Sequence, residues 1–486
     1  MIEFRDVTFF YGEETAPSVD GVSLKIDKGE TVVLCGESGC GKSTMTRLIN
    51  GLIPHFHEGK LEGEVLYDGK RTTDMRLYEL SEHVGSVFQD PRTQFYNVES
   101  TVELAFGCEN LGVPPEEIEQ RITRTATRFG LEELLDRNLF AMSGGEKQRI
   151  ACGSVDATNP ETLVLDEPSS NLDLFAIHDL AQVVQRWRDD GKTLVIAEHR
   201  IFYLVDLADR FIYIRDGRIE REFRPDELRT LSPEALEDLG LRAPDPWKLA
   251  PRAEARGSGE SLSLRSLKCI TRGRRRLSIP ELTLPRGEII AVIGRNGAGK
   301  TTLARTLCGL EKTGSGVLGI DGATHDIRKR RDLVYMVMQD VNHQLFTEDV
   351  ISELLLSMDG TDPDAEQKRA MEILRSLDLD DKSGRHPMSL SGGEQQRVAI
   401  GSAIAAGREI LILDEPTSGL DHKRMTQVAD YLTAMSADGK TMLVITHDIE
   451  LVLRCCSHAI YLVDGEIAQK SRMDETGAQQ LREFFE

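Results

Sequence analysis

At 486 residues the chain is too long for one ordinary core and suits two domains of about 220–230 residues each. A hydrophobic share of 40% beside a charged share of 29% excludes a disordered chain. A formal net charge of −22 argues against nonspecific nucleic-acid binding, which needs basic surface to displace counterions. The same charge is compatible with a basic partner such as the Lys- and Arg-rich cytoplasmic loops of a membrane protein.

The first residues, Met-Ile-Glu-Phe-Arg, enter a strand pattern directly and lack a signal peptide's apolar core. No apolar run approaches the roughly 18–20 residues of a membrane span. The eight cysteines are scattered, without Cys-x-x-Cys spacing, so reduced thiols in a cytosolic chain are expected. In chain order, β-rich apolar segments are predicted at residues 31–35, 162–165, 193–197 and 211–214. The pattern returns at 289–293, 409–413, 441–445 and 459–463, with polar, helix-compatible stretches between. That alternation predicts an α/β fold with a largely parallel sheet in each half. The expected boundaries are a first domain over residues 1–228, a linker over 229–260 and a second domain over 261–486. Ser232-Pro233 predicts a helix cap opening a short helix through Leu239, and residues 243–260 read as a surface linker.

Motifs recur between the halves. Gly36-Glu37-Ser38-Gly39-Cys40-Gly41-Lys42-Ser43-Thr44 has its counterpart in Gly294-Arg295-Asn296-Gly297-Ala298-Gly299-Lys300-Thr301-Thr302. Each follows an apolar strand and opens a helix, the context a phosphate loop requires. Glycines let backbone N–H groups wrap phosphates, Lys42 and Lys300 neutralise the β- and γ-phosphates, and Ser43 and Thr301 offer a hydroxyl to Mg²⁺. Asp166 and Asp414 end apolar strands and can hold the Mg²⁺ shell, while Glu167 and Glu415 can polarise an attacking water. Ser143 and Ser391, Asp166 and Asp414, and His199 and His447 are each separated by 248 residues, so the domains are duplicated. Gln89 and Gln339 follow Ser-Val-Phe and Met-Val-Met, and with the two histidines they read as γ-phosphate sensors that also reach the metal.

With those residues in place the sequence resembles the ATP-binding cassette (ABC) family over almost its whole length. Ser143-Gly144-Gly145-Glu146 and Ser391-Gly392-Gly393-Glu394 match the family's signature, Gln89 and Gln339 its Q-loops, His199 and His447 its switch histidines. Ser170 to Asp173 and Ser418 to Asp421 match its D-loops. The resemblance implies two tandem P-loop NTPase domains, each with a RecA-like core, an antiparallel β subdomain and a helical signature subdomain. It also implies a head-to-tail pair in which Lys42 works with Ser391–Glu394 and Lys300 with Ser143–Glu146. Two departures stand out. Glu146 and Glu394 occupy the signature's usual Gln position, and Met142 precedes the first; these are treated as tolerated variants. Tyr11 fits the aromatic that stacks on adenine, whereas aligning Phe4 with Leu264 places Thr271 opposite it. Stacking contributes about 1–3 kcal/mol, so the second site is expected to hold ATP more weakly unless Arg272, Arg274, Arg275 or Arg276 stacks instead. Cys40 lies beside Lys42 and a helix N-terminus, both of which lower a thiol's pKa. Alkylation is therefore expected to inactivate the first site and MgATP to protect it, an inert loop cysteine being the alternative.

Within the family, residues 87–95 and 103–110 look like the first ATPase of an energy-coupling factor (ECF) importer, and 339–346 like the second half of its fused version. That resemblance implies a peripheral protein on the cytoplasmic face of the membrane. Its partners would be an integral-membrane scaffold (the ECF transmembrane component) and a substrate-capture subunit, with no nucleic acid. Phe95, Tyr96 and Phe346 are candidate contacts for the scaffold. The tandem ATPase of a sugar importer is an alternative, although such proteins usually degrade one site and both are intact here. A soluble two-domain translation factor is another, although those carry a longer basic linker. His55 and His57 read as a surface loop rather than a metal site, and Cys455-Cys456 as helix packing.

Overall fold

The computed structural model describes residues 1–252, 261–271, 274–320, 322–326, 330, 332–360 and 362–485, with 271 and 274 described by backbone alone. The chain forms two compact units, residues 1–246 with 419–423, and residues 247–418 with 424–486.

In the first unit the strands are β1 (Ile2–Tyr11), β2 (Val19–Ile26), β3 (Thr31–Cys35), β4 (Gly59–Tyr67), β5 (Lys70–Arg71), β6 (Val84–Val87), β7 (Thr162–Asp166), β8 (Thr193–Ala197), β9 (Arg210–Arg215) and β10 (Arg218–Phe223). Among the described residues they make a four-stranded antiparallel sheet, β2-β1-β4-β5, and a six-stranded sheet, β10-β9-β3-β8-β7-β6. β9, β3, β8, β7 and β6 run parallel, and β10 closes the edge antiparallel. β3 and β8 are buried at every residue, as strands covered on both faces must be. β1 instead alternates, because one face of its sheet meets solvent. The helices Ser100–Asn110, Pro115–Phe129 and Gly144–Thr158 pack on one another as a helical subdomain.

The second unit repeats the plan with β11 (Ser261–Thr271), β12 (Arg274–Pro285), β13 (Ile289–Ile293), β14 (Ser315–Ile320), β15 (Ala323–His325), β16 (Val334–Val337), β17 (Ile410–Asp414), β18 (Thr441–Ile445), β19 (His458–Val463) and β20 (Glu466–Arg472). Its sheets are β12-β11-β14-β15 and β16-β17-β18-β13-β19-β20. Even a local irregularity is duplicated. The register of β1 on β4 shifts after Arg5 and that of β11 on β14 after Arg265, with Asp6 and Ser266 at φ 48° and 53°. These paired bulges support the alignment of Phe4 with Leu264, and Tyr11 and Thr271 both end their strands.

The short helix after the first unit's sheet is Pro233–Asp238, capped by Ser232, whose hydroxyl accepts from Ala235 N–H at 3.2 Å. Leu241, Arg242 and Ala243 are buried, so the surface run expected from residue 243 starts later; residues 253–260 lie outside the described residues.

One buried carboxylate ties the helical subdomain to the core of the first unit. Asp156 accepts from Trp187 Nε1 at 2.9 Å and from Thr125 Oγ1 at 2.8 Å, all three residues being buried. Asp156→Ala leaves two buried donors unpaired and is expected to cost about 2–4 kcal/mol of stability. Denaturant unfolding checks this, and an unchanged midpoint would count against the bridge.

Candidate functional site

The loop from β3 into the helix Lys42–Ile49 is shaped by glycine. Gly36 has φ 145°, and a Cβ there would lie 2.1 Å from Ile214 O; Gly41 has φ 106°, and a Cβ would lie 2.4 Å from Ser18 O. No side chain fits either position. The buried Lys42 ammonium is folded back on the loop, donating to Gly36 O at 3.0 Å and Glu37 O at 2.9 Å. Ser43 Oγ donates to Asp166 Oδ1 at 2.8 Å, at the end of β7. Burial raises the Asp166 carboxyl above its ordinary value, with the Ser43 hydrogen bond opposing.

Glu167, the next residue, sits at φ 44° with its N–H on Ala197 O at 2.8 Å. Left-handed backbone is costly for a non-glycine residue, and such strain clusters at functional sites. Its two oxygens have separate partners: Oε1 lies 3.2 Å from His199 Nε2, and Oε2 accepts from Gln89 Nε2 at 2.8 Å. Burial pushes this carboxyl up, but the hydrogen bond and charge of His199, together with Lys42, bring it below its ordinary value. Thus Glu167, Gln89 and His199 form one cluster, with Ser38 Oγ 3.4 Å from the imidazole.

The second unit builds the same arrangement. Lys300 Nζ donates to Gly294 O at 2.7 Å and Arg295 O at 3.2 Å, and Thr301 Oγ1 donates to Asp414 Oδ2 at 2.9 Å. Asp414 is likewise raised by burial. Glu415 repeats the positive φ, at 50°, and its Oε1 lies 3.3 Å from His447 Nε2. Its Oε2 accepts from His447 N–H at 3.4 Å, whereas in the first unit that backbone N–H is held by Glu198 Oε1 at 2.7 Å. Gln339 is exposed at the end of β16.

The two signature segments open helices Gly144–Thr158 and Gly392–Ala405 as capping boxes. Ser143 N–H donates to Glu146 Oε2 at 2.7 Å and Ser391 N–H to Glu394 Oε2 at 2.8 Å. A carboxylate closes such a box as well as an amide does, which explains Glu at the family's Gln position. Arg137 lies 3.3 Å from Glu146, and Lys382 pairs with Glu394. Burial raises the Glu394 carboxyl, but Lys382 and Ser391 outweigh it and hold it at about 2.

Tyr11 ends β1 with its hydroxyl accepting from Arg47 at 3.0 Å and lying 3.3 Å from Thr44 Oγ1. Its ring meets Phe9 and His57 edge-on, at 4.9 and 6.0 Å. In the second unit, Arg272 and the side chains of Thr271 and Arg274 lie outside the described residues. Arg275 is paired with Glu466 at 3.0 Å. Phe95 packs against the core, while Tyr96 and Phe346 are 79% and 73% exposed.

The expectation for Cys40 is corrected. The thiol is buried, and burial raises its pKa; Lys42, 3.8 Å away, opposes without prevailing. Proximity to a cation and a helix N-terminus was legible in the sequence, and the desolvation that outweighs them was not. Iodoacetamide at neutral pH is therefore expected to label Cys40 slowly, and peptide mapping that finds it among the fastest-reacting thiols would contradict this burial.

Sequence reasoning missed several residues. Glu198, 2% exposed, accepts from Ser169 N–H, Arg200 N–H and Tyr203 Oη in addition to His199. Gln94 and its counterpart Gln344 hold the backbone N–H just before each Q-loop glutamine, and Glu103 and Glu353 grip the backbone beyond it. Their signal was present: each pair is separated by 250 residues, as Gln89 is from Gln339.

Comparison with known proteins agrees with this geometry. The family model described as ABC transporter matches residues 19–170 and 277–418. A putative ABC transporter ATP-binding protein of Treponema denticola is 41% identical, over 97% of each chain. One from Methanosarcina mazei is 32% identical, over 96% of this chain and 88% of that one. A chain from a model of ribosome-bound archaeal Pelota and ABCE1 covers 99% of this chain and 80% of its own, with TM-score 0.71 and 23% identity, a likeness of fold alone. With two family matches on two phosphate-loop units, the chain belongs to the ABC transporter family as an ATPase with two ATP-binding domains in tandem.

Proposed function

We propose that the chain is the ATP-hydrolysing subunit of an ECF-type importer, working at the cytoplasmic face of the membrane. It would drive uptake of a vitamin, vitamin precursor or metal ion through a separate scaffold and a substrate-capture subunit. The observation that carries this reading is a duplicated one: an exposed aromatic, Tyr96 and Phe346, stands seven residues after each Q-loop glutamine, where a membrane partner's cytoplasmic helix would dock. The ECF-like segments at residues 87–95, 103–110 and 339–346 point to the subtype. No described helix is long and apolar enough to cross a membrane.

In the proposed mechanism, residues 36–44 and 294–302 wrap the phosphates, Tyr11 stacks on adenine, and Lys42 and Lys300 turn from the loop carbonyls to the β- and γ-phosphates. Glu167 and Glu415 take the proton of the attacking water as general bases, and His199, His447, Gln89 and Gln339 orient it on the γ-phosphate. Ser43 with Asp166, and Thr301 with Asp414, are oxygen donors of the kind Mg²⁺ takes, already within hydrogen-bond reach of each other. They would hold the ion with Gln89 and Gln339, and it would neutralise charge on the phosphates. The signatures Ser143–Glu146 and Ser391–Glu394 complete the sites, the two domains working as an intramolecular pair.

Mass spectrometry of what co-purifies with the tagged chain from detergent-solubilised membranes tests the partner. A multi-span scaffold with a separate integral capture protein supports the ECF reading. A sugar permease would replace it with a sugar importer, and ribosomes without a membrane protein would replace it with a translation factor.

A further inference from the structure

The segment that joins each Q-loop glutamine to its exposed aromatic is clamped twice, by the same residue types, in both units. Near its start, Gln94 Oε1 accepts from Phe88 N–H at 3.2 Å, and Gln344 Oε1 from Met338 N–H at 3.0 Å. Each therefore holds the backbone residue just before Gln89 or Gln339. The other end of each glutamine is anchored within its own unit, Gln94 Nε2 on Ala151 O and Gln344 Nε2 on Met336 O and Tyr335 Oη.

At the far end a buried carboxylate takes over. Glu103, 3% exposed, uses one oxygen to accept from Tyr96 N–H at 3.1 Å, Asn97 N–H at 2.8 Å and Asn97 Nδ2 at 3.1 Å. Glu353, 4% exposed, accepts from Phe346 N–H at 3.1 Å, Thr347 N–H at 3.0 Å and Thr347 Oγ1 at 2.8 Å. The third donor has changed chemistry between the copies, from an amide to a hydroxyl, and the carboxylate has not. A carboxylate is acceptor-only and strongly hydrated, so burying one is costly unless several donors meet it, as they do here. Packing alone would be served at lower cost by an apolar side chain. The clamp converges on the two N–H groups that set where an exposed ring stands.

We infer that Glu103 and Glu353 are positioning residues that make the stretch from Gln89 to Tyr96, and from Gln339 to Phe346, move as one piece, so that nucleotide at the site is sensed at the exposed ring. The inference rests on Gln89 and Gln339 meeting the nucleotide, and not on which partner docks. A loop staple with no such role would hold the ring equally in all nucleotide states.

The test places an indole at the ring position. In full-length chain carrying Tyr96→Trp, MgATP changes the fluorescence attributable to position 96, after subtraction of the signal of the unsubstituted chain with Trp187 and Trp247. Adding Glu103→Gln removes most of that change while KM for ATP stays within about three-fold, a split that lost folding would not give. Phe346→Trp with Glu353→Gln repeats the test in the second unit. Should Glu103→Gln fail to fold, Gln94→Ala in the Tyr96→Trp background releases the other end and is expected to give the same loss. An unaltered fluorescence change in the clamp variants, or an ATP-hydrolysing Tyr96→Trp chain whose fluorescence ignores MgATP, overturns the inference. Gln89→Ala with undiminished turnover would instead overturn the role of Gln89 itself.

Discussion

Glu167→Gln together with Glu415→Gln lowers ATP turnover by about 10²–10⁴-fold, the usual contribution of a positioned general base. Each carboxylate lies within hydrogen-bond reach of a switch histidine, at 3.2 and 3.3 Å, and each follows the strand-end aspartate on strained backbone. The amide preserves the shape and one acceptor oxygen but cannot take a proton. ATP affinity should accordingly stay within about three-fold in an equilibrium binding assay, since the lost interaction belongs to the transition state. Either single variant leaves one site working and should lose at least half the turnover. Normal turnover in the double variant would remove both residues from the chemistry.

Lys42→Ala and Lys300→Ala produce the opposite split, with binding lost first. Each ammonium is buried and holds two loop carbonyls. A hydrogen bond to a charged group contributes about 1.5–3 kcal/mol, so affinity at the altered site should fall about 10- to 150-fold. Titration with a fluorescent ATP analogue reads this directly. Affinity unchanged at both sites would mean that the lysines stay on the loop carbonyls when nucleotide binds.

Strands buried on both faces were the most legible elements. Residues 31–35, 193–197, 289–293 and 441–445 form strands over those same bounds, because a short run of β-branched and apolar residues has few other places to go. The strand Val84–Val87 was missed, its Gly85 and Ser86 interrupting the apolar signal. The bulges at Asp6 and Ser266 were invisible, since a register shift depends on the partner strand. At the sites, spacing identified which residues belong together, and folding supplied what spacing omits. Desolvation raises the Cys40 thiol against its neighbours, and the Glu of each signature closes a capping box. The Ser-x-x-Glu pattern of those boxes was present in the sequence, overlaid by the family signature.

On the proposed function, hydrolysis by this chain powers import through other membrane proteins. The most direct test is uptake of the cargo named by the co-purified capture protein, in cells whose only copy of the chain carries Glu167→Gln and Glu415→Gln. The membrane complex is expected to assemble as before and uptake to be lost. Assembly with undiminished uptake would contradict the proposed function.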